Sequence, residues 1–180
     1  MRAFLSDALF KGKATVAVPG PDGAALEQAA RALADRARRT LGRSLAIREV
    51  DAGSCNGCEL EVNALNNPVY DIERFGLKFV ASPRHADVLL VTGPVTWNMR
   101  EALLRTYNAA PDPKWVVALG DCAVDGGVFK GSYAVAGGVG TTLPVDLHIA
   151  GCPPAPERIL AGLRALLEAN ARSKGRVSSR

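Results

Sequence analysis

Four cysteines are the residues of this chain best suited to chemistry. They are Cys55, Cys58, Cys122 and Cys152, spaced as a C-x-x-C pair, a long gap, a single cysteine, a shorter gap and a cysteine followed by two prolines. Four thiolates can hold either a zinc ion or an iron–sulfur cluster. The sequence therefore predicts a metal centre with these four residues as its candidate ligands.

The spacing of the cysteines bears on the choice of metal. Structural zinc sites usually take their ligands as two short pairs, and this chain has one such pair. Single cysteines from distant loops suit a larger inorganic core, and neighbouring glycines leave backbone amides free to point at sulfur. Those glycines are Gly53, Gly57, Gly120 and Gly151. The pattern favours iron–sulfur, with zinc or unligated thiols as the alternatives.

Composition limits the class of protein. With 180 residues, 48% of them hydrophobic, the chain can build one domain without disulfide support. The amino terminus has no continuous apolar signal core and no apolar run is long enough to cross a bilayer, so we expect a cytoplasmic, reducing setting in which a disulfide framework is disfavoured. The net charge of +4 comes with 6% scattered aromatics, which argues against nucleic acid as a partner.

Hydrophobic periodicity predicts a single α/β domain. A helix is expected over 23–41, capped by Asp22 and ended by Gly42. Short apolar runs alternate with further helical patterns, which indicates a mostly parallel, flavodoxin-like sheet with helices on both faces. The predicted strands are 47–50, 78–81, 88–92, 116–119 and 145–149, and the other predicted helices are 59–65, 95–107 and 156–169. We expect a leader over 1–22 that could dock on a partner or membrane, an iron–sulfur domain over 23–170, and a disordered basic tail over 171–180.

The predicted strands bring the cysteines together. Cys55 and Cys58 follow the first strand, Cys122 follows the fourth and Cys152 follows the fifth. Because ligands of open parallel sheets collect at the carboxyl ends of the strands, the four thiols can converge on one ion or cluster there.

Other motifs carry less weight. Glycine-rich stretches at 126–127 and 137–140 do not form the G-x-x-x-x-G-K-[ST] motif of a phosphate-binding loop, because Gly131 separates Lys130 from Ser132, and they are interpreted as turns. His148 falls within a strand pattern and is interpreted as a core or edge residue. Glu59 and Glu61 follow the cysteine pair, where negative charge complements a helix start, with proton handling as the alternative.

Several short motifs, in a fixed order, resemble one known family. The stretch over about 45–168 is similar to the family that unites complex I 20 kDa-type subunits with the small subunits of [NiFe]-hydrogenases. The motifs are DAGSCNGCELE at 51–61, RFG at 74–76, SPRHAD at 82–87, TG at 92–93, PKW at 113–115, GDC at 120–122, PVD at 144–146 and GCPPAP at 151–156. The resemblance implies that Cys55, Cys58, Cys122 and Cys152 ligate one [4Fe-4S] cluster and that the chain has no catalytic site of its own.

Within that family the chain is most similar to one branch. Complex I members typically have adjacent cysteines at the first site, whereas Cys55-Asn-Gly-Cys58 has the spacer of the hydrogenase members, and the additional cysteines and export signal of uptake hydrogenases are missing. The resemblance therefore implies the electron-transfer small subunit of a membrane-associated, energy-converting or formate-hydrogenlyase-type [NiFe]-hydrogenase. A complex I-type quinone oxidoreductase subunit and a zinc-bound scaffold are the alternatives.

The same resemblance implies partners and a location. The partners would be a large subunit bearing nickel and iron, a ferredoxin-like iron–sulfur subunit and membrane subunits, with the complex on the inner face of the cell membrane. The family motifs also suggest that Arg74 and Arg84 position the cysteine loop or offset the cluster's charge. On this view the Arg84-His85 turn and the cysteine pair share one interface.

Overall fold

The computed structural model of the protein describes residues 23–177, without the side chains of residue 40 and residues 171–177. The predicted leader, the Asp22 cap and residues 178–180 lie outside the described residues. The strands are β1 Ala46–Asp51, β2 Lys78–Phe79, β3 Val88–Thr92, β4 Val95–Thr96, β5 Trp115–Leu119, β6 Val135–Gly137 and β7 Leu147–Ile149. The α-helices are α1 Gly23–Leu41, α2 Gly57–Ala64, α3 Trp97–Ala109, α4 Asp121–Asp125 and α5 Pro156–Val177.

Five of the strands form one parallel sheet, in the order β2-β1-β3-β5-β7. Counted along this sheet alone, the order is 2-1-3-4-5, that of flavodoxin-like folds. The order reverses at β1, so the crevice beside the end of this strand is the place where such sheets bind ligands. The predicted fold class is confirmed.

The central strands are buried on both faces, which explains their continuous apolar runs. All five residues of β3 and of β5 are buried. In β5, Trp115, Val117 and Leu119 contribute to one core with α1, α2 and α5, and Val116 and Ala118 contribute to a second core with α3 and α4. Alternation along each strand thus supplies both cores, and helices cover both faces as predicted.

Helix α1 follows its apolar spacing. Leu26, Ala30, Leu33 and Ala37 are buried, at intervals that place them on one side of the helix. The helix ends at Gly42, which has a φ of 71° and donates its N–H to the Arg38 carbonyl at 2.8 Å. This left-handed residue is the predicted C-terminal cap.

The structure also departs from the predicted elements. β2 covers only the first half of its predicted range, and β4 and β6 form an antiparallel pair that was not predicted. The short helix α4 was not predicted either. Helix α5 extends to Val177, so it includes seven of the ten residues of the segment 171–180 that was predicted to be disordered.

Two aspartates hold the register of the sheet at its amino edge. The Asp87 side chain, 3% exposed, accepts an N–H from Ala46 at 2.9 Å and pairs with the Arg43 guanidinium. Its backbone bonds Ala46 on one side and Trp115 on the other. Asp146 makes the same kind of contact in a more exposed position. Its carboxylate accepts the Val116 N–H at 2.8 Å. Each aspartate immediately precedes a strand and fastens it to its neighbour.

Replacing Asp87 by alanine should therefore destabilise the fold. The change leaves the buried Ala46 N–H without its acceptor and Arg43 without its counter-ion, at a cost of about 3 kcal/mol. Asp146→Ala is the matched control, and it should cost less than about 1 kcal/mol because water can replace the exposed carboxylate. The free energies of unfolding come from urea denaturation, and equal losses in the two variants would contradict the role assigned to Asp87.

Candidate metal centre

The structure brings the four cysteines to the carboxyl edge of the sheet. Cys55 and Cys58 follow β1, Cys122 lies in α4 after β5, and Cys152 follows β7. All four are free thiols; Cys55 and Cys152 are exposed, and Cys58 and Cys122 are half-buried. The four cysteines thus lie at the strand ends where the sequence predicted them.

The loops that carry the cysteines fit closely against one another. Gly120 has a φ of 88°, and a Cβ built on it would lie 2.6 Å from Cys58 Sγ. A Cβ on Gly127, at a φ of 50°, would lie 2.7 Å from Cys122 Sγ. Both positions therefore require glycine, since any side chain would occupy the space of a sulfur and strain the backbone.

Contacts also join the first and third loops. A Cβ on Gly57 would be 3.5 Å from Cys55 Sγ and 4.0 Å from the Pro153 ring, next to Cys152. The C-x-x-C segment thus meets the β5 loop through Gly120 and the β7 loop through Pro153. Three loops that are distant in sequence form one surface.

Asp121 links the second and third loops directly. Its carboxylate accepts the Gly151 N–H at 2.8 Å, and its own N–H donates to the Gly151 carbonyl at 2.9 Å. These bonds join the residues immediately before Cys122 and Cys152, so they fix the position of Cys122 relative to Cys152.

The thiols are close enough to influence one another's ionisation. The pKa of Cys58 is raised to about 12, first by burial and then by the negative charge of Glu59 and of the other three cysteines. Burial also raises the pKa of Cys122, with further increases from Cys152 and Cys55, while the Val128 N–H that bonds its sulfur lowers it. Holding all four residues as thiolates together therefore requires positive charge among them.

The thiols do not converge as tightly as the ligands of a single ion. Within residues 23–177, no group of three or more histidine, cysteine, aspartate or glutamate side chains is arranged to hold one metal ion. A tetrahedral zinc site brings its sulfurs to about 3.8 Å from each other, given zinc–sulfur bonds of about 2.3 Å.

Arg74 and Arg84 lie at the opposite edge of the sheet from the cysteines, contrary to the expected role at the cysteine loop. Arg74 stacks on Phe75 at 4.6 Å, in a short helix that ends at Gly76 against Ser44, just before β1. Arg84 lies in the turn Pro83–His85, which leads into the amino end of β3. The motifs that contain them form the amino edge, and the Arg84-His85 turn does not share the cysteine surface.

Exposed apolar side chains follow the helix that carries Cys122. Tyr133 is 95% exposed and Val128 is 82% exposed, both in the segment after α4, and Trp97 at the start of α3 is 57% exposed. The Trp97 N–H bonds the Ala134 carbonyl, so these side chains lie on adjoining segments. We call Trp97, Val128, Phe129 and Tyr133 the apolar rim. Large exposed apolar groups beside a candidate site are typical of a surface that another protein covers.

The family assignment rests on a match to most of the domain. Residues 55–166, which include all four cysteines, match the model of the NADH ubiquinone oxidoreductase 20 kDa subunit family. The chain belongs to this family.

Two curated relatives are similar over three quarters of the chain. Formate hydrogenlyase subunit 7 of Escherichia coli is 46% identical over 140 residues, which are 76% of this chain and 55% of that protein. A probable membrane-bound hydrogenase subunit of Pyrococcus furiosus is 49% identical over 138 residues, 76% of this chain and 83% of that protein. The chain thus spans little more than half the length of the first relative and most of the second.

Solved structures show the same architecture. A chain of an archaeal membrane-bound sulfane sulfur reductase superposes with a TM-score of 0.63 at 38% identity, covering 76% of this chain and 74% of that one. A chain of an NAD⁺-reducing [NiFe]-hydrogenase superposes with a TM-score of 0.54 at 21% identity, covering 71% and 93%, and supports the fold alone.

Sequence reasoning missed the polar residues that shape the cysteine loops. Asp121 was part of a recognised motif without a role of its own. At the end of β1, Asp51 Oδ1 accepts the N–H groups of Gly53 and Ser54 at 2.8 and 2.7 Å and so starts the first cysteine loop. An aspartate followed by glycine two residues later is a turn signal that the sequence does contain.

Replacing Asp121 by alanine should loosen the cysteine loop after β7. The Gly151 N–H loses its acceptor, so its amide should exchange with solvent about tenfold faster, as expected for a hydrogen bond to a charged group. Hydrogen exchange read by NMR or mass spectrometry measures this. Asp121→Asn keeps an acceptor oxygen and serves as the control; unchanged exchange in the alanine variant would show that the Asp121 link does not hold the loop.

Proposed function

We propose that this chain is the electron-transfer small subunit of a membrane-associated [NiFe]-hydrogenase and that Cys55, Cys58, Cys122 and Cys152 bind one [4Fe-4S] cluster. The observation that carries the proposal is the meeting of the cysteine loops at one edge of the sheet, with Gly120 and Gly127 shaped around two of the sulfurs. The names of the hydrogenase relatives support the choice of complex.

The distribution of the cysteines along the chain favours a cluster over the zinc-bound scaffold. Structural zinc sites usually take their ligands as two short pairs, and this chain has one such pair. A cluster places its own iron and sulfide atoms between the cysteines, so its ligands stand further apart. Thiolates are also the usual ligands of such clusters.

The residues of the chain have distinct tasks in this proposal. The four cysteines supply the thiolates, and the Val128 N–H donates to the Cys122 sulfur, an interaction that raises a cluster's potential. Gly120 and Gly127 let backbone close over the sulfurs, which limits water at the half-buried pair. When bound, the cluster supplies reversible one-electron transfer. The chain needs no catalytic site of its own, since the nickel–iron site belongs to the large subunit.

The hydrogenase assignment has one competitor within the family. A subunit of the NADH-quinone oxidoreductase of Heliobacterium modesticaldum is 44% identical over 110 residues, 61% of this chain and 63% of that protein. The spacer in Cys55-Asn-Gly-Cys58 favours the hydrogenase branch. The sequence of the large partner subunit distinguishes the two complexes. A nickel–iron site requires two C-x-x-C pairs in that subunit, whereas a quinone-reducing complex does not require them.

The apolar rim supports a large-subunit partner at the cysteine edge. Its side chains are exposed and lie on segments next to the helix that carries Cys122, as is typical of surfaces that another protein covers. No helix among the described residues has the length and apolar character to cross a membrane. We propose attachment to the inner face of the cell membrane through partner subunits, with a ferredoxin-like subunit supplying electrons.

Anaerobic purification of the full-length chain tests the cluster. We expect a brown protein with about four iron and four sulfide per chain, which bleaches on reduction and gives an electron paramagnetic resonance (EPR) signal. Serine at Cys58 or Cys122 should abolish or strongly reduce iron loading, since a hydroxyl is a poor substitute for thiolate. A colourless protein with one zinc would reject the proposal.

Substitution in the apolar rim tests the docking surface. Val128→Lys together with Tyr133→Ser should reduce co-purification of the large subunit at least tenfold. The first change introduces a positive charge into the proposed interface, and the second removes an aromatic ring from it. The iron content of the chain should stay at the wild-type level. Arg84→Ala changes an exposed residue at the opposite edge and should leave co-purification unchanged. Wild-type recovery of the large subunit with the rim variant would place the interface elsewhere.

A further inference from the structure

One hydrogen bond spans the C-x-x-C segment from outside. Ser54 directly precedes Cys55, and Glu59 directly follows Cys58. The Ser54 hydroxyl donates to Glu59 Oε2 at 2.6 Å, a short distance of the kind found when the acceptor is a carboxylate. The bond closes a ring that contains both cysteines and fixes the two ends of the segment relative to each other.

Ser54 also organises the interior of this ring. Its Oγ accepts the Asn56 N–H at 3.0 Å, while its own N–H is held by Asp51. Asn56 has a left-handed backbone with a φ of 71°, and its side chain makes no cap bond to α2. The first turn of α2, which presents Cys58, is therefore tied to the preceding loop through Ser54 and Glu59 rather than through the usual cap residue.

Glu59 is not placed as a simple surface charge. Its Oε1 is buried and has no hydrogen-bond partner among the described residues. A carboxylate that served only to complement the helix dipole could turn towards water. Holding it inwards beside the thiols costs free energy, which points to a role at the site.

We propose that Ser54 and Glu59 are positioning residues whose hydrogen bond sets the separation of Cys55 and Cys58 and so holds the bound cluster. The inference rests on the proposed function, because the cysteine pair must ligate a cluster for its separation to matter. Outer residues that orient ligands commonly change metal affinity by about tenfold or more when replaced.

The test compares alanine variants with one that keeps the hydrogen bond. Ser54→Ala and Glu59→Ala should each speed the loss of iron to a chelator by about tenfold and alter the EPR line shape. Glu59→Gln retains an acceptor oxygen and should stay within about twofold of the wild type. The double alanine variant should lose iron no faster than Ser54→Ala alone, because Ser54→Ala has already removed the bond to Glu59. Glu61→Ala, two residues further along α2, is the matched control for loss of a carboxylate.

The outcomes separate this inference from the proposed function. A wild-type chain without iron rejects the proposed function itself. An iron-loaded wild type with an unchanged Ser54→Ala variant overturns only the role of the hydrogen bond, and so would additive effects of the two alanine changes. Urea unfolding of each variant measures general destabilisation. If that were the cause, the rate of iron loss would correlate with the free energy of unfolding, and Glu59→Gln would not restore iron retention. If Glu59→Ala does not fold, the test compares Ser54→Ala with Ser54→Thr, which keeps the hydroxyl. Equal rates of iron loss in these two variants would overturn the role of the hydrogen bond.

Discussion

The register of the parallel strands is the constraint on which the candidate site depends. Cys55 and Cys152 are almost a hundred positions apart, and they meet only because β1, β5 and β7 end at the same edge. Asp87 contributes to this at the other edge, where its backbone bonds both Ala46 and Trp115. A slip of one residue between these strands would displace one cysteine loop against the next and move side chains of one core into the other.

Above that edge, a second set of contacts controls the fine placement of the thiols. Asp51 and Asp121 each use a carboxylate to hold backbone amides of the loops, and the glycines beside the sulfurs let the loops approach without side chains between them. These contacts give the proposed cluster a binding surface of defined shape. The raised pKa of Cys58 shows the cost of that shape, since crowding and burial disfavour its thiolate until positive charge arrives.

The sequence contains much of this architecture in its local patterns. Helix α1 and strands β3 and β5 were predicted because strong apolar periodicity and continuous apolar runs specify them locally. The β4–β6 pair and α4 were missed because they are short and depend on contacts with distant residues. Arg74 and Arg84 show a further limit: a motif identifies a family without telling which edge of the sheet it occupies. The Ser54–Glu59 bond could not be predicted either, because a five-residue separation across a non-helical turn has no simple periodic signal.

The unequal exposure of the four thiols has a consequence for the order of assembly. Cys55 and Cys152 are open to solvent in the separate chain, whereas Cys58 and Cys122 are partly covered by their own loops. Iron and sulfide could reach the site from the open side, and so could molecular oxygen. A partner that seals this side would block both. Delivery of the inorganic atoms would then have to precede docking, and the interval between the two steps would be the period in which the subunit is most vulnerable to oxidative damage.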